Sequence, residues 1–154
     1  LALTGHLWLL PRLYYVIVPE AVFKETQFYP HMPDAVEISR AAMTWLKVYR
    51  VENRKKVTEL RAMGLGLGEA EAFTLYEEKR AEAVLLSEDH AVRKASFLGV
   101  KALNLADIAR EAYHQQILTA AQVYEYASAF IEQNILATEY MRKLREEAAT
   151  WLSR

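Results

Sequence analysis

The sequence predicts an α/β protein built around a parallel β-sheet, followed by a helical segment. Two observations lead to this prediction. Short apolar runs typical of strands alternate with amphipathic helices as far as residue 114, which is the order expected for a parallel sheet with helical crossovers. After residue 119 the chain carries only apolar stripes at helical spacing. We therefore expect an α/β domain at 1–114 and a helical extension packed on it at 115–154.

The first half of the chain is predicted to contain two strands and several helices. The strands are runs rich in β-branched and aromatic residues. The helices start at residues that favour a helix start, with Pro19 at a first helical position and with Asp34 and Asn53 as caps. In chain order we expect a helix or turn at 7–13, a strand at 14–18, a helix from 19, a helix at 34–43, a strand at 44–51 and a helix at 53–62.

The second half opens with a glycine-rich turn and then repeats the alternation of helix and strand. In chain order we expect a helix at 69–79, a strand at 83–86, a helix at 89–98, a strand at 100–103 and a helix at 106–114. Thr119 can cap a further helix, and the two apolar stripes after it predict a helical hairpin that covers the core. A groove for a partner protein on these helices is the alternative interpretation.

The composition is that of one folded domain and excludes several kinds of site. Of the 154 residues, 53% are hydrophobic and 25% are charged, as in soluble proteins. There is no cysteine, which excludes disulfides, thiol catalysis and zinc–thiolate sites. The net charge of −1 gives no overall attraction to nucleic acid, so RNA binding would require a local basic patch. No apolar run reaches the ~20 residues of a membrane span, and we expect a cytoplasmic protein.

Carboxylates stand where an open α/β sheet places its functional sites. Glu69 and Glu71 lie at a predicted helix start, and Glu88 and Asp89 directly follow a predicted strand. Such positions meet at one edge of a parallel sheet. Carboxylates without histidine or cysteine partners suit a hard cation such as Mg²⁺ or Mn²⁺. The structural alternatives are that the helix dipole favours the two glutamates and that Asp89 is only an N-cap.

A local basic segment offers a surface for phosphate groups. Tyr49 is available for base stacking, and the cations of the segment are Lys47, Arg50, Arg54, Lys55, Lys56 and Arg61. Arg93 and Lys94 follow Asp89 closely and are further candidates for contact with a substrate backbone. The alternative interpretation of all these cations is a solvated surface.

Three segments resemble the PIN-domain family of metal-dependent ribonucleases, many of which are toxins of toxin–antitoxin pairs. They are VIVPEAVFKE at 16–25, LGEAEAFTL at 67–75 and LLSEDHAVRKASFLGVKALN at 85–104. The third segment is fairly specific, and the nearest likeness is to PIN-like proteins whose helix starts with GEAEA. The resemblance implies a three-layer α/β/α fold with a parallel sheet.

The resemblance also implies a compact acidic site that holds Mg²⁺ or Mn²⁺. There, metal-activated water would attack a phosphodiester bond of single-stranded RNA. By position, Glu25 matches the helix acid of the family, and either Glu69 or Glu71 matches the acid that opens the next helix. Asp89 matches the acid after the fourth strand, with Glu88 as its neighbour in the metal site.

Further implications of the resemblance concern substrate and partners. Ser87 would orient a water molecule or a carboxylate, while Arg54, Lys55, Arg93 and Lys94 would bind substrate. Single-stranded RNA is the expected substrate, and a homodimer and a small antitoxin protein are the expected partners. These roles lead to the hypothesis of a toxin-type ribonuclease.

The first strand of the PIN family is not found among these residues. The first strand of the family ends in an aspartate, and 1–15 resembles the segment that comes after that aspartate. A parallel sheet without its central strand would leave backbone groups unpaired in the core. We therefore expect that strand and its acid upstream of Leu1, or another chain in the gap, and the codons before Leu1 would distinguish the two. The alternatives are a non-catalytic PIN-like protein that binds nucleic acid or protein, and a structural oligomer built on the helices after 119.

Overall fold

The computed structural model describes residues 1–86, 89–133 and 138–154 as short strands surrounded by helices. The helices are α1 (Leu9–Leu13), α2 (Glu20–Thr26), α3 (Pro33–Ala42), α4 (Arg54–Ala62), α5 (Leu67–Lys79), α6 (Asp89–Phe97), α7 (Leu105–His114), α8 (Ala120–Glu132) and α9 (Thr138–Leu152). The strands are β1 (Ile17–Pro19), β2 (Lys47–Tyr49), β3 (Val84–Leu85) and β4 (Ala102–Leu103). The predicted α/β class is confirmed. No helix within the described ranges is long and apolar enough to cross a lipid bilayer.

The described strands form two separate parallel pairs. In the first pair, β1 lies beside β2 with Ile17 opposite Lys47. In the second, β3 lies beside β4 with Val84 opposite Ala102. Parallel pairing agrees with the prediction, but each strand is shorter than predicted. At the start of β1 the reason is local, because the Tyr14 N–H still donates to the Leu10 carbonyl at 2.8 Å and so belongs to the end of α1.

Two of the predicted helix caps are present, but two predicted helix starts are wrong. Asn53 accepts a backbone N–H of the first turn of α4 at 3.0 Å, as predicted. Thr119 and Gln122 form a reciprocal capping box at the start of α8.

Pro19 was expected as the first helical residue, yet its backbone is extended as the last residue of β1, and α2 begins at Glu20. The prediction that Asp34 caps α3 is wrong. The helix already starts at Pro33, whose fixed φ suits the first helical position, so Asp34 lies inside the first turn.

The apolar core has two parts, and the smaller one supports the start of α5. The larger part lies among α1, α7, α8 and α9 and includes the fully buried Tyr126. The smaller part surrounds Phe73 of α5 and is closed by α4, α6 and β3. Because α5 is buried along much of its length, its first turn is held firmly against its neighbours.

The two C-terminal helices pack against each other and against α7. A bidentate ion pair adds to this contact: Arg110 of α7 donates to both carboxylate oxygens of Glu147 on α9, at 2.7 and 3.0 Å. These hydrogen bonds raise the pKa of the Arg110 guanidinium above its usual value. Asp107 accepts a third hydrogen bond from Arg110 at 3.1 Å. Helix α7 therefore contacts both α8 and α9.

Candidate functional site

Among the predicted site acids whose side chains the structure describes, Glu71 is the most buried. Its side chain is only 7% exposed. One carboxylate oxygen accepts a hydrogen bond from the Arg54 guanidinium at 2.7 Å, and the other accepts the Ala21 backbone N–H at 3.0 Å. Glu71 therefore connects the starts of α2 and α4 to α5. Both of its oxygens are engaged within the chain, which opposes its predicted role as a metal ligand.

Glu69 lies in the same first turn of α5 but has different surroundings. Its carboxylate is partly exposed and lies 3.5 Å from the Lys94 ammonium of α6. Lys94 also donates to the Gly64 carbonyl at 3.1 Å. This cation therefore holds the glycine-rich turn, the start of α5 and the middle of α6 together. Of the two alternatives left open by the sequence, Glu69 keeps the freer carboxylate.

Glu25 reaches the same place from the last turn of α2. A methyl group at Gly68 would lie 3.0 Å and 3.3 Å from the two oxygens of the Glu25 carboxylate, so that carboxylate rests directly on the helix backbone at Gly68. Glu69 is the next residue along the chain. The structure thus places the Glu25 carboxylate against the residue that precedes Glu69, although Glu25 and Glu69 are far apart in sequence.

Asp89 is the first residue of α6, the helix that also carries Lys94. A helix start directly after β3 agrees with the prediction for this segment. Ser87, Glu88 and the side chain of Asp89 lie outside the described residues. Since Lys94 contacts Glu69, helix α6 passes beside the first turn of α5.

The first turn of α5 offers carboxylate oxygens, which are the type of ligand that a hard divalent cation prefers. Glu25 and Glu69 supply carboxylates, and neither thiolate nor imidazole takes part. Within the described ranges, no group of three or more acidic or histidine side chains lies close enough together to hold a metal ion. A complete metal site would therefore need a further donor, for which Asp89 and Glu88 are the sequence candidates.

The predicted substrate-binding cations differ in their exposure to solvent and in the groups that they contact. The Arg54 side chain is half exposed while it pairs with Glu71. Lys55 is 87% exposed and lies 4.0 Å from Glu59, which is the geometry of a solvated surface pair. Arg93 and Lys94 line a small groove of about 270 Å³ that also includes the exposed Phe97.

Two residues of structural importance were missed by sequence reasoning. Gly68 was treated only as part of a turn, yet it provides the bare backbone on which Glu25 rests. Glu78 accepts the backbone N–H groups of Glu52 and Asn53, at 3.0 and 2.7 Å, and so fixes the chain before α4. A signal for Gly68 was the direct adjacency of a glycine and an acid in GEAEA. No sequence signal existed for Glu78.

The close contact at Gly68 leads to a first prediction. In Gly68→Ala the new methyl group would displace the Glu25 carboxylate and press on Val22, whose methyl lies 3.2 Å away. Alanine favours a helix over glycine by about 1 kcal/mol, which offsets part of the crowding. We expect a melting temperature close to that of the wild type, but Mn²⁺ affinity reduced about tenfold or more. The measurements are thermal denaturation and Mn²⁺ titration.

Gly66→Ala is the matched control for that variant. Gly66 has ordinary backbone angles, and a methyl group there meets nothing within 4 Å. Equal loss of Mn²⁺ affinity in both variants, or unchanged affinity in Gly68→Ala, would contradict the placement of Glu25 in the site.

The buried carboxylate of Glu71 leads to a second prediction. In Glu71→Ala the buried Ala21 N–H loses its acceptor, and we expect the free energy of unfolding to fall by about 1–3 kcal/mol. Glu71→Gln keeps an oxygen acceptor and loses only the ion pair with the half-exposed Arg54, so a loss below about 1 kcal/mol is expected. Urea denaturation of the two variants measures the difference. Equal losses would show that the hydrogen bond to Ala21 contributes nothing.

Comparison with known proteins supports the resemblance noted in the sequence. The family model DUF3368, described as a PIN domain, matches residues 1–147 of the chain. No curated protein and no solved structure matches the chain. The matched range includes the three segments that carry the resemblance, and it also includes the start of α5, where the Glu25 carboxylate lies against Gly68. The chain belongs to the PIN-domain family.

Proposed function

We propose that this protein is a metal-dependent ribonuclease of the PIN type, which hydrolyses phosphodiester bonds of single-stranded RNA. Membership in the PIN-domain family supports a nuclease-type fold. The observation that carries the proposal further is the position of the Glu25 carboxylate on the Gly68 backbone, next to Glu69 in the first turn of α5. Two carboxylates from separate helices, placed beside a helix that starts with Asp89, have the donor type that Mg²⁺ and Mn²⁺ prefer.

In this proposal Glu25, Glu69 and Asp89 hold Mg²⁺ or Mn²⁺, and Glu88 is a further candidate ligand. A bound divalent cation supplies a water of lowered pKa and neutralises charge on phosphate oxygens. Glu71 holds α2 and α4 in place so that Glu25 stays at Gly68. Its own role is therefore positional.

The cations around the acids have the role of orienting the RNA backbone. Lys94 lies 3.5 Å from Glu69, and its ammonium group keeps a further donor hydrogen with which it can contact a phosphate. Arg54, which pairs with Glu71, and Arg93, the neighbour of Lys94 on α6, would add to this positive charge, together with Lys55 next to Arg54. Ser87 is assigned to orient a water or a carboxylate. Contacts of this kind fix the position of the substrate without reading its sequence.

The finer architecture and the biological setting belong to the same proposal. We propose a three-layer α/β/α arrangement with α8 and α9 as a helical hairpin that covers one side. We also propose a cytoplasmic toxin of a toxin–antitoxin pair, active as a homodimer and silenced by a small antitoxin protein. The reason for proposing this setting is the likeness of the segments at 16–25, 67–75 and 85–104 to toxin-type PIN ribonucleases.

Cleavage of a defined RNA tests the proposed activity. A 5′-labelled single-stranded RNA is incubated with the protein and Mn²⁺, with Mg²⁺, or with EDTA, and the products are separated by size. We expect fragments with either metal and intact RNA in EDTA. The same RNA annealed to its complement is expected to resist cleavage. Fragments that form equally in EDTA would contradict a metal-dependent mechanism.

A second candidate function is a non-catalytic PIN-like protein that binds nucleic acid or protein. The pairing of both α5 acids with cations of the chain favours it: Glu69 pairs with Lys94, and Glu71 pairs with Arg54. Acids neutralised in this way need no metal for stability. RNA binding that persists in EDTA, together with the absence of cleavage in Mn²⁺, would support this second function over the first.

A further inference from the structure

A small apolar groove lies beside the candidate site, between the chain after α4 and helix α6. Its volume is about 270 Å³, and it is lined by Met63, Leu65, Arg93, Lys94, Phe97 and Leu98. Lys94 also lies 3.5 Å from the Glu69 carboxylate. The groove therefore adjoins the first turn of α5, where Glu69 is a proposed metal ligand.

The ring of Phe97 is open to solvent at this groove. Phe97 is 85% exposed, the highest value among the large apolar and aromatic residues that the structure describes. Leu65 is buried and forms the floor, whereas Met63 is about half exposed. An aromatic side chain stabilises a fold through the area that it buries, so the ring of Phe97 contributes little to the core. Its surface is available to a flat ligand, which aromatic rings bind by stacking.

Two cations precede Phe97 on the same face of α6. Arg93 and Lys94 lie four and three residues before it, which are the spacings that bring side chains together on a helix surface. Arg93 is exposed, and Lys94 donates to the Gly64 carbonyl at 3.1 Å. Proteins that bind single-stranded nucleic acid combine such cations, which follow the phosphate backbone, with aromatic rings on which bases stack. The groove has both parts of this arrangement.

The position of Phe97 on α6 sets its distance from the candidate metal ligand Asp89. Asp89 is the first residue of this helix and Phe97 is the last. An α-helix rises about 1.5 Å per residue, so the two positions are roughly 12 Å apart along the axis. A base stacked on Phe97 therefore belongs to a nucleotide that flanks the scissile phosphate.

Tyr49, which the sequence suggested for base stacking, has different surroundings. It lies in β2 and is partly buried. The Lys79 ammonium lies over its ring, 4.3 Å from the centroid, so one face of the ring already contacts a cation. Phe97 is the better candidate for stacking, because its ring is exposed and lies next to the candidate site.

We propose that this groove binds one base of a single-stranded RNA substrate, stacked on the Phe97 ring, while Arg93 contacts a neighbouring phosphate. This inference rests on the proposed function, since it takes RNA as the substrate. Pockets for drug-sized ligands have volumes of roughly 300–1,000 Å³, so a groove of about 270 Å³ suits a single base. Apart from the two cations its lining is apolar, so stacking holds the base and any of the four bases is accepted. A base inside a duplex stays stacked on its neighbours, which restricts the groove to single strands.

Two substitutions of Phe97 test the stacking. Binding of a short fluorescein-labelled single-stranded RNA is followed by fluorescence anisotropy in EDTA, so that no metal-dependent cleavage intervenes. Phe97→Leu keeps an apolar side chain but removes the aromatic ring, and we expect RNA affinity to fall at least about fivefold. Phe97→Trp keeps a ring and is expected to retain the wild-type affinity. Tyr124→Leu removes an exposed aromatic ring from α8 and is the matched control, which should also bind RNA as the wild type does.

The outcomes separate the base site from the proposed nuclease activity. Equal RNA affinity in the wild type and Phe97→Leu, together with Mn²⁺-dependent cleavage by both, would overturn the proposal for the groove alone. RNA affinity that depends on the ring of Phe97, without cleavage in Mn²⁺, would support the base site and contradict the nuclease. A dimer that dissociates in Phe97→Leu while RNA affinity stays unchanged would identify the occupant as a second copy of the chain, and the proposal would be wrong.

RNAs that lack a single base test the contact itself. In a set of otherwise identical RNAs, each with one abasic nucleotide at a different place, one abasic position is expected to lower wild-type affinity at least about fivefold. Phe97→Leu should bind that RNA and the intact RNA equally, because the stacking partner of the base is already absent. An equal loss in both proteins would show that the base contacts another part of the protein and would overturn the proposal. Circular dichroism of the variants ensures that the comparison is made between folded proteins.

Discussion

Asp89→Asn is expected to abolish Mn²⁺-dependent cleavage of single-stranded RNA. An amide oxygen is a far weaker ligand for a hard divalent cation than a carboxylate, and it cannot balance the charge of the metal. Loss of an outer partner of a metal ligand already costs about 10–100-fold in activity or affinity, so loss of a ligand itself is expected to exceed that range. Initial rates of fragment formation from a labelled RNA measure the effect.

Asparagine is chosen because it has nearly the same shape as aspartate but lacks the charge. Asp89 is the first residue inside α6, where loss of the charge removes a favourable interaction with the helix dipole of about 0.3–1 kcal/mol. The melting temperature should therefore stay close to that of the wild type. Glu125→Gln, at an exposed position of α8, is the matched control and should cleave RNA at the wild-type rate. Wild-type cleavage by Asp89→Asn would remove this residue from the site.

Tyr126→Ala is expected to lower the free energy of unfolding by about 3–5 kcal/mol, the usual cost of removing a large aromatic side chain from a core. Tyr126 is fully buried in the larger core, where its ring lies 4.7 Å from the His6 ring and 4.9 Å from the Phe130 ring, measured between centroids. The truncation leaves a cavity between α7 and α8 that rigid helices cannot fill. Urea denaturation followed by circular dichroism measures the loss.

Tyr126→Phe removes the hydrogen bond of the Tyr126 hydroxyl but keeps the packing of the ring. The hydroxyl of Tyr126 donates to the Leu105 carbonyl at 2.7 Å. Leu105 is the first residue of α7, so its carbonyl keeps the helical hydrogen bond and loses only a second one. The expected loss is about 1 kcal/mol. A loss in Tyr126→Phe equal to that in Tyr126→Ala would mean that the ring itself contributes no packing.

Local features of this fold could be predicted from the sequence because their causes are local. Asn53 and Thr119 cap their helices, and the apolar runs become strands in parallel pairs. Which strand lies beside which could not be predicted from local patterns. Register and neighbours in a parallel sheet depend on crossovers and on contacts far apart in the chain, which single-sequence patterns do not encode.

Part of the candidate site could likewise be predicted from the sequence, and part of it could not. The sequence placed Glu69 and Glu71 together at a helix start and could not distinguish their roles. The structure separates them because Glu71 meets partners 17 and 50 residues away, Arg54 and Ala21, while Glu69 faces Lys94. Glu25 was identified only through the family resemblance. The structure adds that its carboxylate lies against the Gly68 backbone, next to Glu69.

The most direct test of the account is the binding of Mn²⁺ to the purified protein, measured by titration calorimetry and by the electron paramagnetic resonance of free Mn²⁺. The account predicts saturable binding that Glu25→Gln and Glu69→Gln each weaken more than about tenfold, while Glu125→Gln leaves it unchanged. Mn²⁺ affinity that is absent in the wild type, or equal in all four proteins, would contradict a metal site at the first turn of α5.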